Sequence, residues 1–270
     1  MRNSDPLVSI LINNYNKDRF CEKSVKSALN QEYKKIEVVF YDDGSSDTSV
    51  KRIKKIKKNQ KKLKIIENKK RGKVFSTNQL NGIRNSLKAC KGKFVCILDS
   101  DDFFKKNKVK KVVDFFNQNK FCEFVFDLPI ISYNSSNEKK LQNQYFYRSY
   151  KWPKFPPTSC LSFKKDSLKK NLNYIYQRDL NELWFDFRIS TFYALKRNQF
   201  NLINENLTFY RQNPENYEKK YKKFLNREWW NRRYQAFIFL KKLSKEKYNK
   251  NIFTFDYLIT FSINKIFLIN

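Results

Sequence analysis

Three apolar runs, each stopped by a polar or acidic cluster, constrain this chain more than any other feature. Leu7 to Ile12 ends on Asn13-Asn14-Tyr15-Asn16, Ile36 to Tyr41 ends on Asp42-Asp43, and Phe94 to Leu98 ends on Asp99-Ser100-Asp101-Asp102. Short runs rich in β-branched residues suit strands buried on both faces of a parallel sheet. Between them lie segments with helical spacing. Phe20 to Asn30 turns Val25, Ala28 and Leu29 inward, a stretch through Val50, Ile53 and Ile56 keeps lysines outward, and Asn78 to Cys90 follows. Leu63 to Glu67 reads as a short strand, Val109 to Asn119 as a helix and Glu123 to Phe126 as a strand. This alternation predicts an α/β fold of right-handed βαβ units, a mostly parallel sheet flanked by helices. Ligands of such sheets sit at the carboxyl ends of the strands. All three polar clusters fall there, so the pattern predicts a single binding site.

The second half is less regular. Trp152 to Pro157 reads as a loop, Ser159 to Phe163 as a strand and Asp166 as the start of a helix. Leu183 to Leu195 reads as a strongly apolar helix and Asn206 to Arg211 as a last strand. From Pro214 the chain turns helical, basic and aromatic. The expected organisation is one domain made of residues 1–128 and 129–213, followed by a helical C-terminal extension at 214–270.

Composition removes several kinds of chemistry. There is no histidine, which excludes histidine zinc sites, Ser-His-Asp triads and histidine bases together. Acid–base work falls to carboxylates, Lys, Tyr or Cys. The five cysteines form no CxxC pair and read as buried thiols of a cytoplasmic protein. The net charge of +31 suits a phosphate-seeking surface. It equally suits the Lys-, Asn-, Ile- and Phe-rich composition of an AT-rich genome. A basic nucleic-acid- or membrane-binding protein that keeps the fold without catalysis is the competing class. It leaves the three clusters unexplained, and no basic-aromatic RNA motif is present, so nucleic acid is not the expected partner.

Asp99, Asp101 and Asp102 offer oxygens to a hard divalent cation, Mn2+ or Mg2+, which would neutralise a departing diphosphate. A solvated acidic turn capping the next helix would carry the same residues. The two other clusters at matching strand ends favour the site.

Four blocks in order carry a family likeness: Pro6 to Asn16, Ser24 to Gln31, Glu37 to Asp47 and Gly92 to Asp102. Together they resemble family 2 glycosyltransferases of the GT-A fold, closely over about the first 130 residues and loosely thereafter. The resemblance implies an inverting transferase that moves a sugar from a nucleotide-sugar, expected to be a UDP-sugar, to a hydroxyl of a surface glycan or lipid-linked acceptor. It implies that residues 1–128 bind the donor and 129–213 the acceptor. It implies Asn13, Tyr15 and Asp43 at base and ribose, the adjacent Asp42 and Asn16 among the nucleotide-sugar-binding residues, and Arg71 or Lys73 reaching base or diphosphate. Asp99 and Asp101 match a DxD motif, Asp101 for metal and Asp99 shared with ribose, with Ser100 between them. Tyr210-Arg211-Gln212 resembles a segment whose basic residue contacts phosphate. Counting six residues back from Arg188 implies Glu182 as the base, a departure from the usual Asp. Asp186 is the alternative, either as base or as partner of an arginine.

The last sixty residues carry Trp229-Trp230 beside Arg232-Arg233, then Lys241, Lys242, Lys245, Lys247 and Lys250 ahead of the apolar stretch Ile252 to Ile269. Asp256, Asn264 and Lys265 interrupt that stretch too often for a span. It reads as an interfacial helix on anionic membrane or as a helix docked on the domain. The expectation is a cytoplasmic protein, peripheral at the inner face of the membrane.

Overall fold

The computed structural model describes residues 5–133, 138–148, 151–177, 179–212, 226–244 and 255–269. The expected helical start at Pro214 and the lysines at 245, 247 and 250 lie outside the described residues.

The first half alternates as the apolar runs require: β1 (Val8–Asn14), α1 (Cys21–Leu29), β2 (Ile36–Asp42), α2 (Ser49–Lys57), β3 (Leu63–Glu67), α3 (Phe75–Ala89) and β4 (Phe94–Asp99). These strands lie in the order β3-β2-β1-β4, all parallel. Next come β5 (Phe103–Phe104), α4 (Lys108–Gln118), β6 (Phe124–Ser132) and β7 (Glu138–Lys140). The strands β8 (Phe146–Arg148) and β9 (Lys151–Lys154) pair with each other in a separate ribbon, so part of the expected 152–157 loop is strand. A 3-10 turn at Thr158–Cys160 leads into β10 (Leu161–Lys164), α5 (Lys165–Ile175), α6 (Phe185–Lys196), β11 (Leu202–Arg211), α7 (Arg227–Ser244) and α8 (Phe255–Ile269).

Beyond β4 the sheet becomes mixed, in the order β4-β10-β6-β11-β5. β10 runs antiparallel to both neighbours, and β11 runs parallel to β6. The reason lies in Ser159, whose hydroxyl accepts the backbone N–H of Asp99 at the carboxyl end of β4 (3.0 Å). The chain therefore enters β10 from that end and must run back. The expected mostly parallel sheet is thus fully parallel over the first four strands and mixed after them. β6 runs on past the expected Phe126 to Ser132, and Pro129, which has no N–H to offer, is tolerated there beside an irregularity in the β11 pairing at Asn206–Thr208.

Period-two alternation divides the strands between two cores. Val8, Ile10, Ile12, Val38, Phe40, Phe94, Cys96 and Leu98 face α1, α2 and α4, where they meet Val25, Ile53 and Val113. Leu11, Val39, Val95 and Ile97 face the other way, onto Leu80 and Ile83 of α3, Leu172 of α5, Ile189 of α6 and Phe239 of α7. α7 is thereby part of the domain core rather than a loose appendage. Its inner face is Ala236, Phe239 and Leu243, while Trp229 and Trp230 stay half-buried at its start.

At the amino end of the sheet, Glu37 gathers the blocks. Its buried carboxylate accepts from Ser9 Oγ (2.7 Å), Lys64 Nζ (2.7 Å) and the N–H groups of Lys91 and Gly92. A Cβ on Gly92 would stand 2.5 Å from Ser9 N, so only glycine fits there. Burial works against the Glu37 carboxylate, but Lys64, the Lys91 N–H and Ser9 outweigh it and hold its pKa below the usual value. A lowered folded pKa contributes stability above the unfolded value and loses it as pH falls through the folded one. Glu37→Ala is expected to lose about 2–3 kcal/mol at neutral pH. In urea unfolding, its gap to wild type should narrow below about pH 4.

Candidate active site

The alternation that sorts the core also aims the strand ends. Asn13, Tyr41, Asp43 and Asp99 continue the positions that face α3, whereas Asn14 and Asp42 continue the face toward α1. A cleft of about 680 Å³ opens on the α3 side, at the carboxyl ends of β1, β2 and β4.

Asn13 lies on its wall with both amide atoms, Oδ1 and Nδ2, buried and without a hydrogen-bond partner. The amide has room because residue 82 is glycine. A Cβ there would lie 2.8 Å from Asn13 Oδ1 and 3.1 Å from the Tyr41 ring. Asp43 accepts from Asn68 Nδ2 (3.0 Å) and pairs with Arg71 Nε (3.3 Å). Burial raises its pKa against the pull of Asn68 and Arg71. The Arg71 guanidinium lies over the Tyr15 ring, 3.2 Å from its centroid, as a flat cationic lid on an aromatic plate. Phe75 and Trp184 meet at 5.2 Å and form another aromatic wall.

The acidic side is built from Asp99 and Asp101. Lys17 Nζ pairs with Asp101 Oδ2 at 2.7 Å. Burial, then the charges of Asp101 and Asp186, push the Asp99 carboxyl up to about 8. Ser100 is buried, and its N–H donates to Asn13 O (3.1 Å), which ties the turn to β1. Asp102 does not cap α4. It is fully buried and accepts from Ser159 Oγ (2.6 Å) and the Arg211 N–H (2.8 Å). That hold brings the Arg211 guanidinium over Phe20, 4.5 Å from the ring centroid, beside the cleft. Among the described residues no three His, Cys, Asp or Glu side chains form a ready metal cage. A cation here would draw its remaining oxygens from a ligand or from water.

Of the residues singled out by sequence, Asn13, Tyr15, Asn16, Asp43, Arg71, Asp99, Ser100, Asp101 and Arg211 line the cleft. Asn16 has φ 48° and commits its Oδ1 to the Ser46 N–H (2.9 Å). Asp42 is off the cleft; its carboxylate accepts from Asn14 Nδ2 (2.7 Å), Ser45 N and Ser45 Oγ, shaping the turn that carries Asp43. Lys73 is exposed in a neighbouring shallow pocket with Asn81 and Tyr176. Neither Glu182 nor Asp186 lines the cleft. They flank Trp184, which does, and the charge of Asp186 is felt by Asp99. Arg188 is wholly buried, and its guanidinium donates to the carbonyls of Leu183, Ile175, Gln177 and Leu180, clamping the loop before α6. From α7, Gln235 Oε1 accepts the Glu182 N–H (2.8 Å) and fixes the same loop. Sequence reasoning missed Lys17, Tyr41, Phe75, Gln79, Gly82 and Trp184. Strand parity signals Tyr41, and a glycine inside a helical pattern signals Gly82.

Gly82→Ala therefore separates ligand space from stability. Alanine favours the helix by about 1 kcal/mol, so the urea midpoint should stay near that of wild type. Its methyl displaces the Asn13 amide, so nucleoside diphosphate affinity should fall at least about tenfold by calorimetry. Unchanged affinity would show that Asn13 does not meet the ligand.

Known proteins resemble this chain in sequence and in fold. Residues 9–173 match the model of glycosyl transferase family 2. An uncharacterized glycosyltransferase of Haemophilus influenzae is 36% identical over 118 residues, covering 42% of this chain and 44% of that protein. The chondroitin synthase of Escherichia coli is 30% identical over 149 residues, covering 55% of this chain and 20% of the synthase. The E. coli UDP-Glc:alpha-D-GlcNAc-diphosphoundecaprenol beta-1,3-glucosyltransferase WfgD is 29% identical over 131 residues, covering 48% of this chain and 49% of WfgD. The matched region thus spans about half or less of these relatives' lengths. Among solved structures, S. aureus TarS in complex with UDP aligns with a TM-score of 0.58 at 16% identity, covering 97% of this chain and 70% of that one. The mannosyltransferase PcManGT from Pyrobaculum calidifontis, in complex with GDP-Man and Mn2+, aligns with a TM-score of 0.61 at 13% identity, covering 99% and 76%. Those two likenesses concern the fold, which is GT-A. With most of its length matched by the family model, and with its strand ends arranged around one cleft, the chain belongs to glycosyl transferase family 2.

Proposed function

We propose that this chain transfers a sugar from a nucleoside diphosphate sugar, with UDP as the nucleotide, to a hydroxyl of a glycan or lipid-linked acceptor, inverting the anomeric centre. The observation that carries the reading is Asn13. A buried amide with both atoms unpartnered is costly in a finished core, and here it faces a cleft large enough for a nucleotide. A base edge with donor and acceptor would satisfy it. Asp43 lies beside it for ribose, and the Arg71–Tyr15 pair offers a flat surface for the base. Relatives are named for this chemistry: WfgD for transfer from UDP-Glc to a diphosphoundecaprenol-linked sugar, and chondroitin synthase for a glycan.

The donor set suits a divalent cation, Mn2+ or Mg2+. Asp101 already draws a cationic side chain, Lys17, and Asp99 lies two residues away on the same cleft. Asp101 and Asp99 would hold the ion with oxygens of the diphosphate, and the ion would supply charge neutralisation to that leaving group. Lys17 and Arg211 stand on the same side to meet the remaining phosphate charge.

Transfer is a single displacement. The acceptor oxygen bonds to the anomeric carbon, the bond from that carbon to the β-phosphate oxygen breaks, and the diphosphate leaves with the electron pair. The acceptor proton passes to a carboxylate, which we assign to Glu182. The double hold on its loop by Arg188 and Gln235 supports that assignment, because a base must be fixed within hydrogen-bond reach of its substrate. Asp186, whose charge reaches Asp99, is the competing base.

Transfer from radiolabelled UDP-sugar, measured beside UDP affinity, tests these roles. Asp101→Ala should lose turnover by about a thousandfold. Glu182→Gln should keep donor affinity and lose transfer by at least about a hundredfold. If Asp186→Asn alone shows that second pattern, Asp186 is the base. Full transfer by Asp101→Ala removes the cation from the reading.

A further inference from the structure

The last described helix is built inside out. α8 docks on α7 through Tyr257 against Phe237 (ring centroids 5.4 Å apart), Phe261 against Tyr234 (6.0 Å) and an Asp256–Arg233 ion pair. The residues it buries most completely are polar: Thr260 at 0% exposure and Asn264 at 5%, one helical turn apart. Thr260 satisfies its hydroxyl on its own helix, donating to Asp256 O (2.7 Å). Facing outward instead are Phe255 at 79% exposure, Leu258 at 53% and Ile266 at 57%, with Ser262 between them. Residues 255, 258, 262 and 266 lie along one stripe of a helix. A helix that meets only water and its own domain turns such residues inward.

The length of α8 restricts what covers the stripe. Its 15 residues extend about 22 Å, less than the ~30 Å hydrocarbon core. No helix among the described residues is long and apolar enough to cross a membrane. A stripe on the described length of helix suits the outer layer of a bilayer, with the helix lying in the plane.

Charge selects the occupant. Lys265 is exposed beside Ile266, and Lys241 and Lys242 are exposed at the end of α7. The sequence joining the two helices adds Lys245, Lys247 and Lys250 against Glu246 alone, in a chain of net charge +31. Two copies bearing that charge repel each other, whereas an anionic leaflet attracts each nearby lysine by roughly 1 kcal/mol. We propose that α8 is a membrane-docking helix that seats Phe255, Leu258 and Ile266 in an anionic lipid surface, with Lys241, Lys242 and Lys265 on the headgroups.

The test uses the full chain without donor or acceptor, so its outcome is independent of the transfer reading. Co-sedimentation is measured with phosphatidylcholine vesicles, and with vesicles holding about one third phosphatidylglycerol, at about 0.1 M salt. Wild type is expected to bind the anionic vesicles at least about tenfold better than the neutral ones. The doubly substituted Leu258→Glu, Ile266→Glu chain is expected to lose at least about tenfold of that binding. Its circular dichroism should be unchanged, since both positions are exposed. Lys241→Glu with Lys242→Glu should weaken binding as well. Equal binding to both vesicle types, or wild-type binding by the Leu258→Glu, Ile266→Glu chain, overturns the proposal. So does a wild-type dimer in analytical ultracentrifugation that this double substitution dissociates, because the stripe would then be covered by a second copy.

Discussion

The site depends on a buried polar chain that joins the two halves of the sheet. Asp102 lies just past the end of β4 and accepts from Ser159 Oγ and the Arg211 N–H. Ser159 also accepts the Asp99 N–H, and its carbonyl accepts from Lys108 Nζ (2.9 Å). Lys108, wholly buried, pairs with Asp127 and donates to Thr208 Oγ1 (2.7 Å). Three strands (β4, β6 and β11), α4 and the 3-10 turn meet through these groups. Burial, then the charges of Asp101 and Asp99, raise the Asp102 pKa well above the carboxylate range, and burial raises Asp127 against the pull of Lys108. A buried ion pair contributes little net stability, but removing one partner leaves an uncompensated polar group that costs about 3–5 kcal/mol. What the network provides is position. It brings Arg211, from a distant part of the chain, to the cleft that holds Asp99 and Asp101.

Much of this was legible from local pattern. The first four strands, their parallel pairing and the edge where ligands bind follow from apolar runs that stop on polar clusters. The same period-two count that buries Ile10 and Val39 on opposite faces decides between Asp42 and Asp43. Only the odd-numbered member faces α3, and reading the pair as a unit kept Asp42 at the ligand. The direction of β10 was not legible. Leu161 to Lys164 reads as a strand in either sense, and it is the long-range bond from Ser159 to the end of β4 that reverses it. Trp184 and Gln79 were hidden for a similar reason. Their place in the cleft comes from helix packing and from the Arg188 clamp, neither of which leaves a short-range signature. The two-residue strand β5 is too brief for any periodicity to register.

The C-terminal helices connect the chemistry to the surroundings. One face of α7 carries Gln235 and Arg232, which hold the Glu182 N–H and cover the Trp184 ring at 5.5 Å. Another face carries Arg233, Tyr234 and Phe237, which hold α8. One helix therefore braces both the loop that carries Glu182 and Trp184 and the helix α8 with its exposed apolar stripe. This joins two features that the sequence presents separately, the late carboxylates and the basic aromatic tail. It also gives α7 a reason to be anchored in the main core through Ala236, Phe239 and Leu243.

The central claim is that Asn13 and the carboxylates beside it form a nucleoside diphosphate site. Calorimetric titration of UDP into wild type and Asn13→Ala, each with and without Mn2+, tests it most directly. The account predicts saturable binding to wild type, tighter with Mn2+, and at least about tenfold weaker binding to Asn13→Ala. Absence of UDP binding, or affinity unchanged by Asn13→Ala, would contradict it.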